Sequence, residues 1–109
     1  ELFIQKGADI NAKDNQGQTP LHWAAYIDKR EIASLLIDSG ADINVKDNYG
    51  HTPLYDAVIS GTEEFVKLLV EKGADVNAKD KKGKTVLKHT LARKNQPRIV
   101  QYLKANGAK

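Results

Sequence analysis

The chain has 109 residues, no cysteine and a formal net charge of +3. That length is suited to one domain, and the lack of cysteine excludes disulfides and thiol chemistry. No run of about 18 apolar residues exists, so no membrane span is expected within this sequence, and no N-terminal apolar stretch looks like a signal peptide.

The elements follow from self-similarity. The stretch GADINAKDNQGQTPL from Gly7 returns as GADINVKDNYGHTPL from Gly40 and as GADVNAKDKKGKTVL from Gly73, 33 residues apart each time. Copies at a fixed period of this length are the mark of stacked repeats. Such a stack offers the same groups at regular intervals, which disfavours an enzyme, whose site needs different groups at one point. In chain order, Leu2, Phe3 and Ile4 align with Leu35, Leu36 and Ile37. Residues 1–6 are therefore expected to be the end of a truncated unit, and the absence of an initiator Met agrees. In the first complete unit, 7–39, Asp14-Asn15-Gln16-Gly17 fits a type I β-turn, with Asp first and Gly fourth. Thr19 is placed to cap a helix, and Pro20 suits its first position, where a missing N–H costs nothing. The spacing predicts a first helix over 20–27, a break at Asp28-Lys29, and a second helix over 30–38. Ile32, Leu35 and Leu36 would form the apolar face of that second helix. Gly40 stops it. Residues 40–72 repeat the pattern with turn Asp47-Asn48-Tyr49-Gly50, and agree with the first unit at 16 of 33 positions. Neither helix is long enough to stand alone in water, so each must bury its apolar face on a neighbour.

The third copy, 73–109, decays after its turn Asp80-Lys81-Lys82-Gly83. Val86 replaces Pro20 and Pro53, Lys88 replaces His22 and Tyr55, and Thr90 replaces Ala24 and Ala57. One residue is inserted before Pro97, which opens the last helix with Asn95 or Gln96 as cap and Ile99, Val100 and Leu103 as apolar face. A degenerate or capping C-terminal unit is expected, since terminal repeats face water. Charge divides at the same place. Residues 1–79 carry net −5 and residues 80–109 net +8. The basic unit is read first as a solvated end, and second as a contact for an acidic partner or phosphate backbone. Nucleic acid is disfavoured, because no aromatic residues interleave the lysines.

Gly17-Gln18-Thr19-Pro20-Leu21-His22-Trp23-Ala24-Ala25, Gly50-His51-Thr52-Pro53-Leu54 and the three Gly-Ala-Asp-(Ile/Val)-Asn segments, at a 33-residue period, resemble the ankyrin repeat family. The resemblance implies an all-α solenoid of stacked helix-turn-helix units joined by β-turn or hairpin loops, a single array over 1–109. It implies a non-catalytic protein-binding scaffold. The absence of cysteine fits a reducing compartment, cytoplasmic or nuclear, and this stretch is expected to be monomeric with no cofactor. Its partner, another protein, would meet the turn tips and the first helices. Carried onto this chain, those positions are Gln16, Gln18, Tyr26 and Ile27, then Asn48, Tyr49, His51 and Ile59, then Lys81, Lys82, Lys84 and Arg93. These vary between units while the framework between them repeats. The alternative is a regulatory or structural arm of a larger enzyme, channel or effector. The resemblance also marks Asn11, Asn44 and Asn77 as positions open to an oxygen-dependent hydroxylase, against a plain loop-structuring role.

Other motifs carry less. Gly83-Lys84-Thr85 ends like a P-loop, but residue 78, where the first glycine belongs, is alanine. Asp9, Asn11 and Asp14 suggest a calcium loop, but Lys13 takes a ligand slot and no Glu closes the loop. His22, His51 and His89 are at three different places within the unit and are not expected to share a metal. His22 occupies the family's His slot, where the imidazole ties neighbouring loops. Trp23 is expected to pack against the next unit rather than act as a binding hot spot. Asp56 and His89 take its slot in later units, so the slot should be partly accessible.

Overall fold

A computed structural model describes residues 10–60, 62–93 and 96–109. Six helices are present among them: α1 (Pro20–Tyr26), α2 (Arg30–Asp38), α3 (Pro53–Ser60), α4 (Glu63–Glu71), α5 (Val86–Arg93) and α6 (Pro97–Ala105). The first ends one residue earlier than its expected span, with Ile27 as C-cap. The second matches its span. The expected truncated unit at 1–6 and the expected cap Asn95 lie outside the described residues.

The helices are seven to nine residues long, and stacking supplies the burial that such short helices need. Within each pair the helices pack together, α1 on α2, α3 on α4 and α5 on α6. Between pairs α1 packs on α3, α3 on α5, and α4 on α6. The first helices thus form one layer and the second helices another, with a continuous apolar core between them. Ala24, Ala25 and Ala57 are fully buried, and their small side chains let α1 and α3 approach closely. Thr90 takes the equivalent slot in α5 and is equally buried; its Oγ1–H donates to Val86 C=O at 2.7 Å, so no polar group is left unpaired. In α2 the expected face holds at Leu36 but not at Leu35, which is exposed; Ala33 is buried instead. In α6, Ile99 and Leu103 are buried and Val100 half-buried. Gln96 caps α6 without a side-chain bond to the helix. Its Nε2 instead donates to Val58 C=O at 2.8 Å, fastening the last helix to the middle unit.

The three turns are copies of one another. Gly17, Gly50 and Gly83 N–H donate to Asp14, Asp47 and Asp80 C=O at 2.9 Å, the bond of a type I turn. Each Asp Oδ1 accepts the N–H groups two and four residues on, all at 2.9 Å. The tips are joined to one another by Asn48 N–H to Gln16 C=O at 2.9 Å and Lys81 N–H to Tyr49 C=O at 3.2 Å. At the other end of the loops runs a ladder of asparagines. Asn11, Asn44 and Asn77 Oδ1 accept the N–H of Asp42, Asp75 and Lys109 at 2.8, 2.7 and 2.9 Å. The loop-structuring role of these residues is thus realised in the fold.

Candidate binding cleft

Because every turn is identical, three slots meet at each junction between units: the residue after the turn glycine, the aspartate of the next turn, and a first-helix residue of that next unit. At the first junction they are Gln18, Asp47 and Asp56. At the second they are His51, Asp80 and His89. Each triad sits under the face made by the tips and the first helices.

At the first junction lies a cleft of about 520 Å³. Trp23, Tyr26, Tyr49 and Tyr55 give it aromatic walls, with Gln16, Gln18, His51 and Ile59 between them. Tyr26 and Tyr49 are 61% and 60% exposed. The two lining carboxyls, by contrast, are buried. Asp47 is held by its own turn and by Gln18 Nε2–H at 3.4 Å. Asp56 Oδ2 has no hydrogen-bond partner. Burial pushes the Asp56 carboxyl up to about 7, with the charge of Asp47 adding to the shift. A buried acceptor with nothing to accept is costly for stability, and near neutral pH it is half ionised.

The second junction is balanced differently. Asp80 Oδ2 faces His89 Nε2 at 3.0 Å and His51 Nε2 at 3.4 Å. Burial opposes its charge, but the Lys84 N–H, the His89 ring and the Lys82 N–H outweigh that and hold the carboxyl well below the usual range. His51 stacks on Tyr55, ring centroids 3.6 Å apart and nearly parallel, and His89 meets Tyr55 edge-on. The expectation that the three histidines stay apart is therefore corrected. His51 and His89 differ in place within the unit, but a turn slot of one unit and a helix slot of the next converge on one carboxylate. His22 alone is separate. It is fully buried, and burial lowers its pKa. Its Nδ1 accepts the Thr19 N–H at 3.1 Å, which leaves the proton on Nε2 to donate to His51 C=O at 2.8 Å. The imidazole does tie one loop to the next.

Six of the sequence-derived partner positions line the one cleft: Gln16, Gln18, Tyr26, Tyr49, His51 and Ile59. The other six are placed elsewhere. Ile27 is at the end of α1. Asn48 bonds Asn15 C=O through its Nδ2 at 3.0 Å and so serves the tip-to-tip join. Lys81, Lys82 and Lys84 are exposed on the third turn, and Arg93 is exposed at the end of α5. Four lining residues escaped the sequence reading: Trp23, Asp47, Tyr55 and Asp56. Trp23 is 41% exposed on the cleft wall, in keeping with the partial accessibility expected of its slot. Asp56, in the same slot, is only 7% exposed, contrary to the accessibility expected there. The slot points along the stack, so what it meets depends on the next turn. A signal existed in Asp56 itself, a carboxylate where the neighbouring copies carry an aromatic ring and an imidazole.

Among the described residues no helix is long and apolar enough to cross a membrane. A family model for ankyrin repeats, in three copies, matches residues 1–80. The match stops at the third turn, before α5, where Val86, Lys88 and Thr90 replace the repeated residues. A search of curated proteins finds no match. Ankyrin repeats generally mediate protein–protein interaction and are typically non-catalytic. With its 33-residue turn–helix–helix units and a family match over most of its length, the chain belongs to the ankyrin repeat family.

Proposed function

We propose that this chain is a recognition module whose cleft at the first junction receives a lysine or arginine side chain of a partner protein. The observation that carries the reading is the pairing of aromatic walls with two buried carboxyls, one of them unpartnered. Aromatic faces attract a cation within about 6 Å of the ring centroid, more strongly once water is displaced. A cationic group would supply the partner that Asp56 Oδ2 lacks, and would draw that carboxyl into its ionised form. The net −5 of residues 1–79 favours approach of a basic segment. The framework around the cleft is already ordered by the turn and asparagine bonds, so little entropy is lost on binding.

Selection from a random peptide library tests this. Enrichment of peptides centred on Lys or Arg is expected, with binding abolished by Tyr26→Ala/Tyr49→Ala. Affinity should rise from pH 6 to pH 8 as Asp56 ionises, with Asp47 already beside it and His51 and Tyr55 on the same wall. Enrichment of neutral or acidic peptides, or binding untouched by the double substitution, would rule the reading out.

A further inference from the structure

We propose that His51 Nε2, Asp80 Oδ2 and His89 Nε2 form a binding site for a divalent transition-metal ion of the zinc type, joining the second unit to the third. The three atoms all lie within 4.8 Å of one another, with the two imidazole nitrogens 3.4 and 3.0 Å from the carboxylate oxygen. Tetrahedral zinc with bonds of about 2.0–2.1 Å needs ligand atoms about 3.4 Å apart, a separation that His51 Nε2 and Asp80 Oδ2 already have; His89 would move out from Asp80 by about 0.4 Å while the two imidazoles draw together. Two imidazoles and a carboxylate suit zinc, leaving a fourth position for solvent, and disfavour calcium or magnesium, which take oxygen donors.

The surroundings orient these ligands. Asp80 Oδ1 is occupied by the N–H groups of Lys82 and Lys84 at 2.9 Å, which turns Oδ2 toward the imidazoles. The Tyr55 ring fixes His51 by stacking. Loss of such support typically costs about 10–100-fold in metal affinity. All three ligands border one small cavity of about 10 Å³, space for about one water-sized species. Lys84 borders it too, but is exposed and free to turn its ammonium into solvent. The first junction is an internal control. Its equivalent triad, Gln18, Asp47 and Asp56, has the same backbone arrangement and no imidazole, so it offers no comparable ligand set.

The role follows from position. The ion would bridge a turn residue of the second unit to the turn and first helix of the third, the unit whose sequence departs most from the others. Zinc would thus stabilise docking of the third unit, since binding to the folded state alone adds to its stability.

Calorimetric titration of the chelator-treated chain with zinc chloride tests the site, together with imidazole NMR. One ion per chain is expected, with a raised Tm and with shifts of the His51 and His89 imidazole signals but not those of His22. His51→Gln, which places at this junction the residue found at the other, should keep the fold and weaken zinc binding about tenfold or more. Absence of saturable uptake, uptake that leaves the His51 and His89 signals in place, or full affinity in His51→Gln would overturn the proposal.

Discussion

The two junctions of this array share a backbone and differ in electrostatics. At the first, Asp56 faces Asp47, and the carboxyl that is buried without a partner is pushed up to about 7. At the second, His89 and His51 face Asp80, and the carboxyl is held below its usual range. A solenoid with fixed framework bonds therefore tolerates opposite charge arrangements in one slot. The turn carbonyls, amides and asparagine ladder carry the stacking, and the triads are free to vary. The first junction leaves a buried carboxyl oxygen without a hydrogen-bond partner. The second is satisfied within itself.

Substitutions can break or sharpen this contrast, and the largest effect is expected at the tips. Gly50 has φ +81°, and a Cβ there would lie 2.7 Å from Lys81 N and 3.0 Å from the Asp80 backbone. Gly83 has φ +78° but no atom within 4 Å. Gly50→Val should cost about 4–5 kcal/mol, adding the clash to the backbone strain, and Gly83→Val about 1–2 kcal/mol from strain alone. Denaturant unfolding of both variants measures the difference. Equal losses would mean that the covered tip contributes nothing beyond its dihedral angles.

Asp56→Asn comes next. The folded pKa of Asp56 is raised from 3.8 to about 7. Between those values the unfolded chain is ionised at this residue while the folded chain is not, so stability falls as pH rises through the window. Replacement by Asn removes that slope. The gain should be about 1–4 kcal/mol at pH 8 and vanish near pH 4, at 1.36 kcal/mol per unit. Thermal unfolding against pH reads it directly, and a gain independent of pH would remove the charge argument.

Asp80→Asn should act in the opposite sense. A carboxyl with a lowered folded pKa contributes stability above its unfolded value of 3.8, lost as pH falls through the folded pKa. The substitution should cost about 1–3 kcal/mol at pH 7, on the scale of charge-assisted hydrogen bonds, and much less at pH 2. The smallest effect belongs to Thr90→Ala. Ala24 and Ala57 fill that inner-layer slot in the other units, and the Thr90 hydroxyl bonds only its own helix. A change of about 0.5 kcal/mol or less is expected. A larger loss would show that the third unit packs by different rules.

Most of the scaffold was legible in the sequence. Asp-x-x-Gly followed by Thr-Pro-Leu is a local instruction, because turn dihedrals, helix start and glycine stop are settled within a few residues. The 33-residue period then fixes that the units stack. Leu35 was misassigned because helical spacing gives the direction of a face but not its width, and the width depends on which neighbours cover it. Half of the positions taken for partner contact do line one cleft. Asp56 departs from the accessibility expected of the slot it shares with Trp23. Their slot points along the stack, and its environment is made by the following turn, about two dozen residues away in sequence.

What the sequence by itself determined is the unit, its period and the residues allowed to vary. Only the tertiary structure decided which variable residues meet. His51 and His89 are 38 positions apart and differ in place within the unit, yet both reach Asp80. Asp47 and Asp56 come close enough for one charge to hold off the other. The reason is physical. Turns and helix starts are short-range and written in adjacent residues, whereas pKa shifts and ligand sets depend on distances of a few ångströms across a junction. Those distances exist only once the units have stacked.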